Sequence, residues 1–472
     1  YLGEHSVKNI AAPVRVYKVL MEPEAVGKII GEKRKTKRWM AVAVAVVILI
    51  GLAGGYLYIE QSKQIEAASI KKMAFQLPGK PSIAVLPFDN MSGDPEQEYF
   101  SDGMTEEIIT ALSKVPYLFV IARNSTFSYK GKPVKICQVA EDLGVRYVLE
   151  GSFRRAGDRV RVTAQLIDAI KGHHLWAERY ERELKDIFAL QDEITKKVLW
   201  ALEVKLTKGE QATTHRKVTE NLKAYLKALQ AIGYLNRMNI EGNFLARQMA
   251  EEANAIDPEY ARPYRVLAFT HVMDIIYGTS KSPKSSMEQA YELAQKAISL
   301  DDADPCSHEA LSFIYLMKRQ HDRAIAEADR AIALDPNGAD AHYRLGQALI
   351  YAGRPKEATA PLEKAIRTNP IAPAMYFLNL GRAYRDMGSY EEAIAELRKA
   401  INRAPDSSIC HFELAATYSL AGRSEEAKDE VAEDLKLNPK ASLLRAEKNL
   451  PYRNKADTDR IIDAARKAGL PE

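Results

Sequence analysis

Few residues in this chain combine the types and spacing that chemistry requires. Asp102, Glu106 and Glu107 lie within six positions and could gather a cation, but acids at the start of a helix more often face its positive end. His173 and His174 are adjacent, and on a strand they point to opposite faces, so they cannot chelate one ion together. Gly27-Lys28 lacks the preceding glycine of a phosphate loop. Cys137, Cys306 and Cys410 show no metal-ligand spacing, and three cysteines build no disulfide framework. They are expected to be free and buried. No residue of the chain is expected to be catalytic, to ligate a metal or to bind a cofactor, so its function is expected to lie in its surfaces.

The elements that would carry those surfaces follow from composition. The 472 residues include 67 Lys+Arg and 63 Asp+Glu, a net charge of +4, which argues against a nucleic-acid partner. A hydrophobic fraction of 46% with 28% charged residues is that of a folded, multidomain chain. The charge is unevenly placed. Residues 1–38 hold nine basic and four acidic residues, and the remainder holds 58 against 59. Directly after that basic lead, Trp39 to Ile59 is a run of 21 uncharged residues, long enough for a transmembrane helix. The positive-inside rule then puts residues 1–38 in the cytoplasm and 60–472 in the periplasm, across a bacterial inner membrane. Gly51 and Gly55, four apart, would let two such helices pack as a homodimer.

Near the start, Val14-Arg15-Val16-Tyr17-Lys18-Val19 alternates with period two, as a half-buried strand does. Residues 1–20 are too few for a core and are expected to be the terminal hairpin of a larger domain, because Tyr1 is not a methionine. The residues Leu2-Gly3, His5, Val7-Lys8-Asn9-Ile10, Pro13-Val14 and Val16-Tyr17 resemble the carboxyl-terminal end of class III adenylate/guanylate cyclase catalytic domains. The resemblance implies conversion of a nucleoside triphosphate to a cyclic nucleotide, an adenylate cyclase being favoured over a guanylate cyclase while the sequence leaves ATP and GTP both open. It also implies a Mg or Mn cofactor and catalytic residues upstream of Tyr1, so this chain alone is expected to be inactive. A basic juxtamembrane segment (21–38), the span (39–59) and a linker (60–80) complete this part of the reading.

From Pro81 the pattern becomes α/β. Ser82–Pro87 and Leu118–Ala122 read as short buried strands, and 146–155, 159–168 and 173–181 as three longer ones. Gly157-Asp158 supplies a hairpin turn. Helices are expected over about 101–114, 134–143 and 187–206. The stretch Pro81 to Leu112, with Leu149-Glu150-Gly151-Ser152 and Trp176-Ala177-Glu178-Arg179-Tyr180, resembles the amino-terminal domain of TolB and related FlgO-like domains. The α/β domain is therefore placed at 81–207.

The remainder is repetitive. Ala297-Ile298, Ala331-Ile332 and Ala365-Ile366 recur every 34 residues, and Ala400-Ile401 follows after 35. Small residues at fixed positions (Gly346, Gly381, Ala358, Ala393) with Pro336, Pro370 and Pro405 between units give the tetratricopeptide (TPR) signature. An all-α solenoid is expected over 221–439, with capping helices in 440–472. The 44 residues from Asp257 to Asp301 exceed one period by ten, a surplus assigned to a longer turn around Tyr277–Pro283. In this register Tyr343, Gln347, Ile350, Leu378, Arg382, Arg385, Phe412, Ala416 and Ser419 fall on the groove-lining face of the first helix of each unit. A protein or peptide is the expected partner. The resulting picture is the sensory, protein-binding region of a membrane-bound nucleotide cyclase. A non-enzymatic envelope scaffold and a membrane-tethered transcriptional regulator are the alternatives.

Overall fold

The computed structural model describes residues 3–5, 11, 14–16, 65–204, 219 and 221–472. The chain divides into Tyr1–Gln64 and Ile65–Glu472. In the first unit, β1 (Gly3–His5) pairs antiparallel with β2 (Val14–Val16), Gly3 opposite Val16 and His5 opposite Val14. Exposed Arg15 and Glu4 pair across the ladder at 3.2 Å.

One expectation about fold class is corrected here. The described fold is a sheet region followed by a helical solenoid, and among the described residues no helix is long and apolar enough to cross a membrane. The transmembrane helix placed at 39–59 therefore has no counterpart among the observed elements. That stretch, with Gly51, Gly55 and the basic segment 21–38, lies outside the described residues.

In the second unit, β3 (Ser82–Val85) is buried at every position, as a central parallel strand must be. Around it run β4 (Asp89–Asn90), β5 (Phe119–Val120), β6 (Tyr147–Ala156), β7 (Arg159–Asp168) and β8 (His173–Glu183). The order is β5-β3-β6-β7-β8, with β4 also on β6; β3 is parallel to β5 and β6, and β6, β7 and β8 are antiparallel. Alternate side chains of β3 enter separate cores. Ile83 and Val85 meet α1 (Glu98–Ser113) and α4 (Ile187–Ala201) through Phe100, Met104, Ile108, Ile194 and Val198. Ala84 meets α3 (Ile136–Leu143) through Val139, Ala140 and Leu143 on the other face. A short helix, α2 (Arg123–Phe127), and strand β4 fall in stretches that show no sequence period.

The solenoid is made of helix pairs. They are α5 (Leu222–Leu235) with α6 (Ile240–Ile256), α7 (Ala261–Ile276) with α8 (Pro283–Leu300), and α9 (Pro305–Met317) with α10 (His321–Leu334). Then come α11 (Ala339–Tyr351) with α12 (Pro355–Thr368), α13 (Ala374–Asp386) with α14 (Tyr390–Arg403), and α15 (Ser408–Leu420) with α16 (Ser424–Leu437). Two further helices follow, α17 (Leu443–Asn449) and α18 (Lys455–Lys467). Within a pair the approach is close. A Cβ on Gly346 would lie 2.4 Å from Leu362 Cγ, and one on Gly381 2.7 Å from Leu397 Cγ. The ten surplus residues of the second pair do not form one long turn. Helix α7 has 16 residues where α13 has 13, α8 has 18 where α14 has 14, and the connection 277–282 is also longer. Adding about one turn to each helix preserves the buried face.

The sheet domain packs on the loops between helix pairs. Asn337 Nδ2 donates to Ser113 O (2.8 Å) and Val115 O (3.2 Å), and Ser113 Oγ donates to Asp335 Oδ2 at 2.9 Å. One unit later, Ser125 Oγ donates to Asn369 Oδ1 at 2.6 Å, and Ala122 N to Thr368 O at 2.8 Å. Arg367 donates to Leu143 O, Gly144 O and Gln76 O, and Arg262 pairs with Glu107. The Asp-Pro-Asn and Asn-Pro-Ile loops that punctuate the repeats are thus the docking elements for the sheet domain.

Burial at this junction pushes the Asp335 carboxyl up to about 6, with Ser113 and the Asn337 amide opposing. A carboxyl raised in the fold favours folding when protonated, so stability is present at low pH and is lost as pH rises from below 4 to about 6. A shift of this size corresponds to about 3 kcal/mol. Asp335→Asn should flatten that segment of the pH–stability curve, measured by urea unfolding at pH 4 to 7. An unchanged slope would show that Asp335 is not the titrating group.

Candidate functional site

The first helix of each pair carries the expected groove positions, and the structure brings two of them, Arg382 and Arg385, into one buried network. Arg382 and Arg385 lie one turn apart on α13 and therefore share a face. Both reach Glu413, on the neighbouring α15. Arg382 donates to Glu413 Oε1 from Nε (2.8 Å) and Nη2 (2.6 Å), and Arg385 Nη1 donates to Oε2. All three side chains are almost wholly inaccessible, at 3%, 0% and 0% exposure. Arg385 is completed by Asp386 Oδ1 (3.0 Å) and by the hydroxyl of Tyr452 (2.9 Å), which in turn donates to Asp386 Oδ2 at 2.7 Å. Arg460 of α18 closes the circuit on Asp386 at 3.2 Å.

Burial alone would raise the Glu413 carboxyl, but the charges of Arg382 and Arg385 overcome it and hold the group below its ordinary range. Burial likewise opposes the charge on Arg385, and Asp386 and Glu413 outweigh it.

The other positions divide into two kinds. Tyr343 stacks on Tyr376 with centroids 4.7 Å apart, and its hydroxyl accepts from Asn379 Nδ2 at 3.1 Å and from Gln347 Nε2 at 3.4 Å. Ile350, Leu378 and Ala416 are fully buried, whereas Phe412 and Ser419 are half-buried. Neighbouring first helices cover part of the face, as Tyr376 covers Tyr343, and residues 440–472 fold back over another part. Helix α18 packs on α15, and the link Leu450-Pro451-Tyr452-Arg453 crosses the ends of α9, α11 and α13.

Two members of the network escape a reading by repeat register. Glu413 is the one charged residue within α15, SICHFELAATYSL, and that isolation was a usable signal. Tyr452 lies in a segment read as a cap, and nothing local marks it as a partner of α13.

The remaining chemical candidates are engaged in ion pairs or are unclustered. Helix α1 begins at Glu98, so Asp102, Glu106 and Glu107 sit beyond its first turn. They pair with Lys130 (2.5 Å), Arg123 (2.8 Å) and Arg262. Among the described residues no three His, Cys, Asp or Glu side chains are placed to hold a metal ion. Cys137 and Cys410 are buried and Cys306 partly so, all as free thiols. A polar crevice of about 330 Å³ opens beyond the carboxyl end of β3, against Glu150–Ser152 in the middle of β6 and Thr163 and Gln165 of β7. In it, Glu150 accepts from Gln165 at 2.9 Å, and burial together with the Asp89 charge raises its carboxyl.

Removing the charge of Glu413 leaves Arg382 with no carboxylate partner and Arg385 with Asp386 alone. Glu413→Gln should lower stability by about 3 kcal/mol, the scale for breaking one side of a buried ion pair. Glu425→Gln, at the solvent-exposed pair with Lys428, should leave the urea midpoint unchanged. Equal midpoints for the two variants would contradict this assignment.

Comparison with known proteins agrees with the repeat geometry. Residues 314–374 and 381–422 match tetratricopeptide repeat families, and residues 79–197 match the family described as "HilA/YgeH-like transcriptional regulator, second domain". A Rhizobium meliloti (strain 1021) protein named "Putative adenylate cyclase 3" is 49% identical over 249 residues, covering 53% of this chain and 42% of that protein. The chain thus spans less than half the length of that relative. Superkiller complex protein 3 of Mus musculus is 32% identical over 135 residues, 28% of this chain and 9% of that protein. Among solved structures, "YrrB: a TPR protein with an unusual peptide-binding site" covers 40% of this chain and 93% of its own, at 19% identity and a TM-score of 0.29. The carboxyl-terminal half of the chain is a TPR array, and the chain is similar to a protein named for nucleotide cyclase activity.

Proposed function

We propose that this chain is the protein-binding region of a class III nucleotide cyclase, with its catalytic residues on a separate domain. The observation that carries the reading is the 49% identity over 249 residues to the cyclase-named relative. The TPR array supplies the interaction function, since stacked helix pairs expose an extended surface while each unit needs only its neighbours for stability. The sheet domain, for which the TolB/FlgO-like resemblance is retained, is the transmitting element. It is hydrogen-bonded to two successive inter-pair loops of the array through Asn337, Asp335, Asn369 and Thr368. A partner that alters the stacking of α9–α14 therefore alters the footing of the sheet domain. The product is a cyclic nucleotide, ATP being the proposed substrate, with Mg or Mn on the catalytic domain.

The match of 79–197 to the second domain of a transcriptional regulator favours one second reading, in which the same interaction region serves a DNA-binding protein. The two readings differ in what the attached domain does.

The test uses the protein with its catalytic domain in place. Asn337→Ala strips the donors from two buried carbonyls at the junction, a change of about 2 kcal/mol. This variant, and removal of 221–472, should each change cyclic-nucleotide formation at least threefold relative to the intact protein. Unchanged formation in both, or sequence-specific DNA binding without cyclase activity, would overturn the cyclase reading.

A further inference from the structure

The link Leu450–Arg453 is held as a bound peptide would be. Three successive carbonyls are captured by side chains of the α9–α10 turn: Arg319 donates to Leu450 O (3.1 Å) and Tyr452 O (2.9 Å), and His321 Nε2 to Pro451 O (2.6 Å). Arg453 N donates in return to Tyr351 O at 2.8 Å. One side chain enters a slot. Tyr452 is 2% exposed, meets the Tyr351 ring edge-on at 4.8 Å and places its hydroxyl between Arg385 and Asp386. Arg453 remains at the surface, paired with Asp322 at 2.6 Å. Backbone capture with one anchoring side chain is how a peptide is recognised in a groove.

The turn that does this departs from the chain's own repeat. In the next three units the second position after the first helix is glycine with a left-handed backbone, Gly353 at φ +78°, Gly388 at +84° and Gly422 at +75°. Here the same position is Arg319, at φ +57°. A non-glycine residue in this region carries strain that glycine would avoid, and the surrounding contacts must hold it there. The residue that bears it is the one whose guanidinium grips the link.

We propose that this surface is a docking site for an extended segment of a partner protein with apolar–Pro–Tyr–basic character, and that Leu450-Pro451-Tyr452-Arg453 is a built-in competitor for it. The proposal rests on the protein-binding reading above and supplies the chemistry of the partner. A cavity of about 580 Å³, lined by Arg319, His321, Asp322, Arg323, Tyr452 and Arg453, opens beside the link and gives a longer segment room to enter. Helix α18 packs on α15 and buries Ile461, Ile462 and Ala465 in the core of the array, so the link can leave while the array stays capped. A tethered segment has an effective concentration of about 1 mM. If its own affinity is about 0.1 mM, it weakens a competing partner roughly tenfold.

The experiment uses the full chain and a fluorescent peptide, Glu-Lys-Asn-Leu-Pro-Tyr-Arg-Asn-Lys, copied from 447–455. Tyr452→Ala empties the slot and should raise peptide affinity at least tenfold over the unaltered chain. Adding Arg319→Gly to Tyr452→Ala should abolish the gain, and a peptide with alanine for tyrosine should not compete. Equal affinity in both chains, or no binding to a Tyr452→Ala chain of native helicity, would overturn the proposal. Hydrogen exchange of Arg319→Gly covers the case in which Tyr452→Ala does not fold. Amides of 452–453 should exchange at least tenfold faster while those of α11 to α15 keep their protection. Joint loss of protection would show the link to be a structural cap and would sink the idea. Neither readout involves cyclic-nucleotide formation, so the cyclase reading and this one can fail separately.

Discussion

The carboxylate of Glu413 is the constraint around which this half of the molecule is arranged. A charged group at 0% exposure is costly, and it is tolerated because two guanidiniums converge on its two oxygens. Those guanidiniums are buried in turn and need further acceptors, which Asn379 and Asp386 supply. Tyr452 supplies the remaining one for Arg385. Each satisfied group creates a demand on the next, so the network runs from α15 through α13 to a link near the carboxyl terminus. Buried networks of this kind specify an arrangement strongly because a partial version leaves an unpaired charge.

That arrangement gives the two edges of the array different work. The loops between pairs carry Asp335, Asn337, Thr368 and Asn369, and their side-chain and backbone polar groups are used on the sheet domain. The turns within pairs carry Arg319 and His321, which are used on the link. The first helices of the pairs are held from both ends, which explains why so much of their face is inaccessible. A partner gains access by replacing one of these internal contacts, and the link is the smaller of the two.

The helix pairs were legible because their signal is periodic and local. Gly346 and Gly381 recur where helices touch, and Pro336, Pro370 and Pro405 recur where they end. The sheet strands were legible from alternation and from Gly157, which takes φ +62° at the expected hairpin. Strand β4 and helix α2 were not, because two and five residues give no period to read. The extra ten residues of the second pair were misplaced because length in a helix and length in a turn look alike in spacing. For the fold class, the described elements are a sheet region and a solenoid, with no membrane-crossing helix among the described residues, and the apolar stretch 39–59 lies outside them.

Sequence alone determined which residues share a helix face, because the 3.6-residue turn and the 34-residue repeat are properties of the chain in order. It placed Tyr343, Arg382 and Arg385 on the same side of successive first helices. Only the tertiary structure decided what lies opposite that side. Glu413 and Arg385 are 28 positions apart and Tyr452 and Arg385 67, and no local period connects residues at such distances. The pairing is set by the cost of leaving a buried charge without a partner, and that cost exists only once the helices are stacked and water is gone.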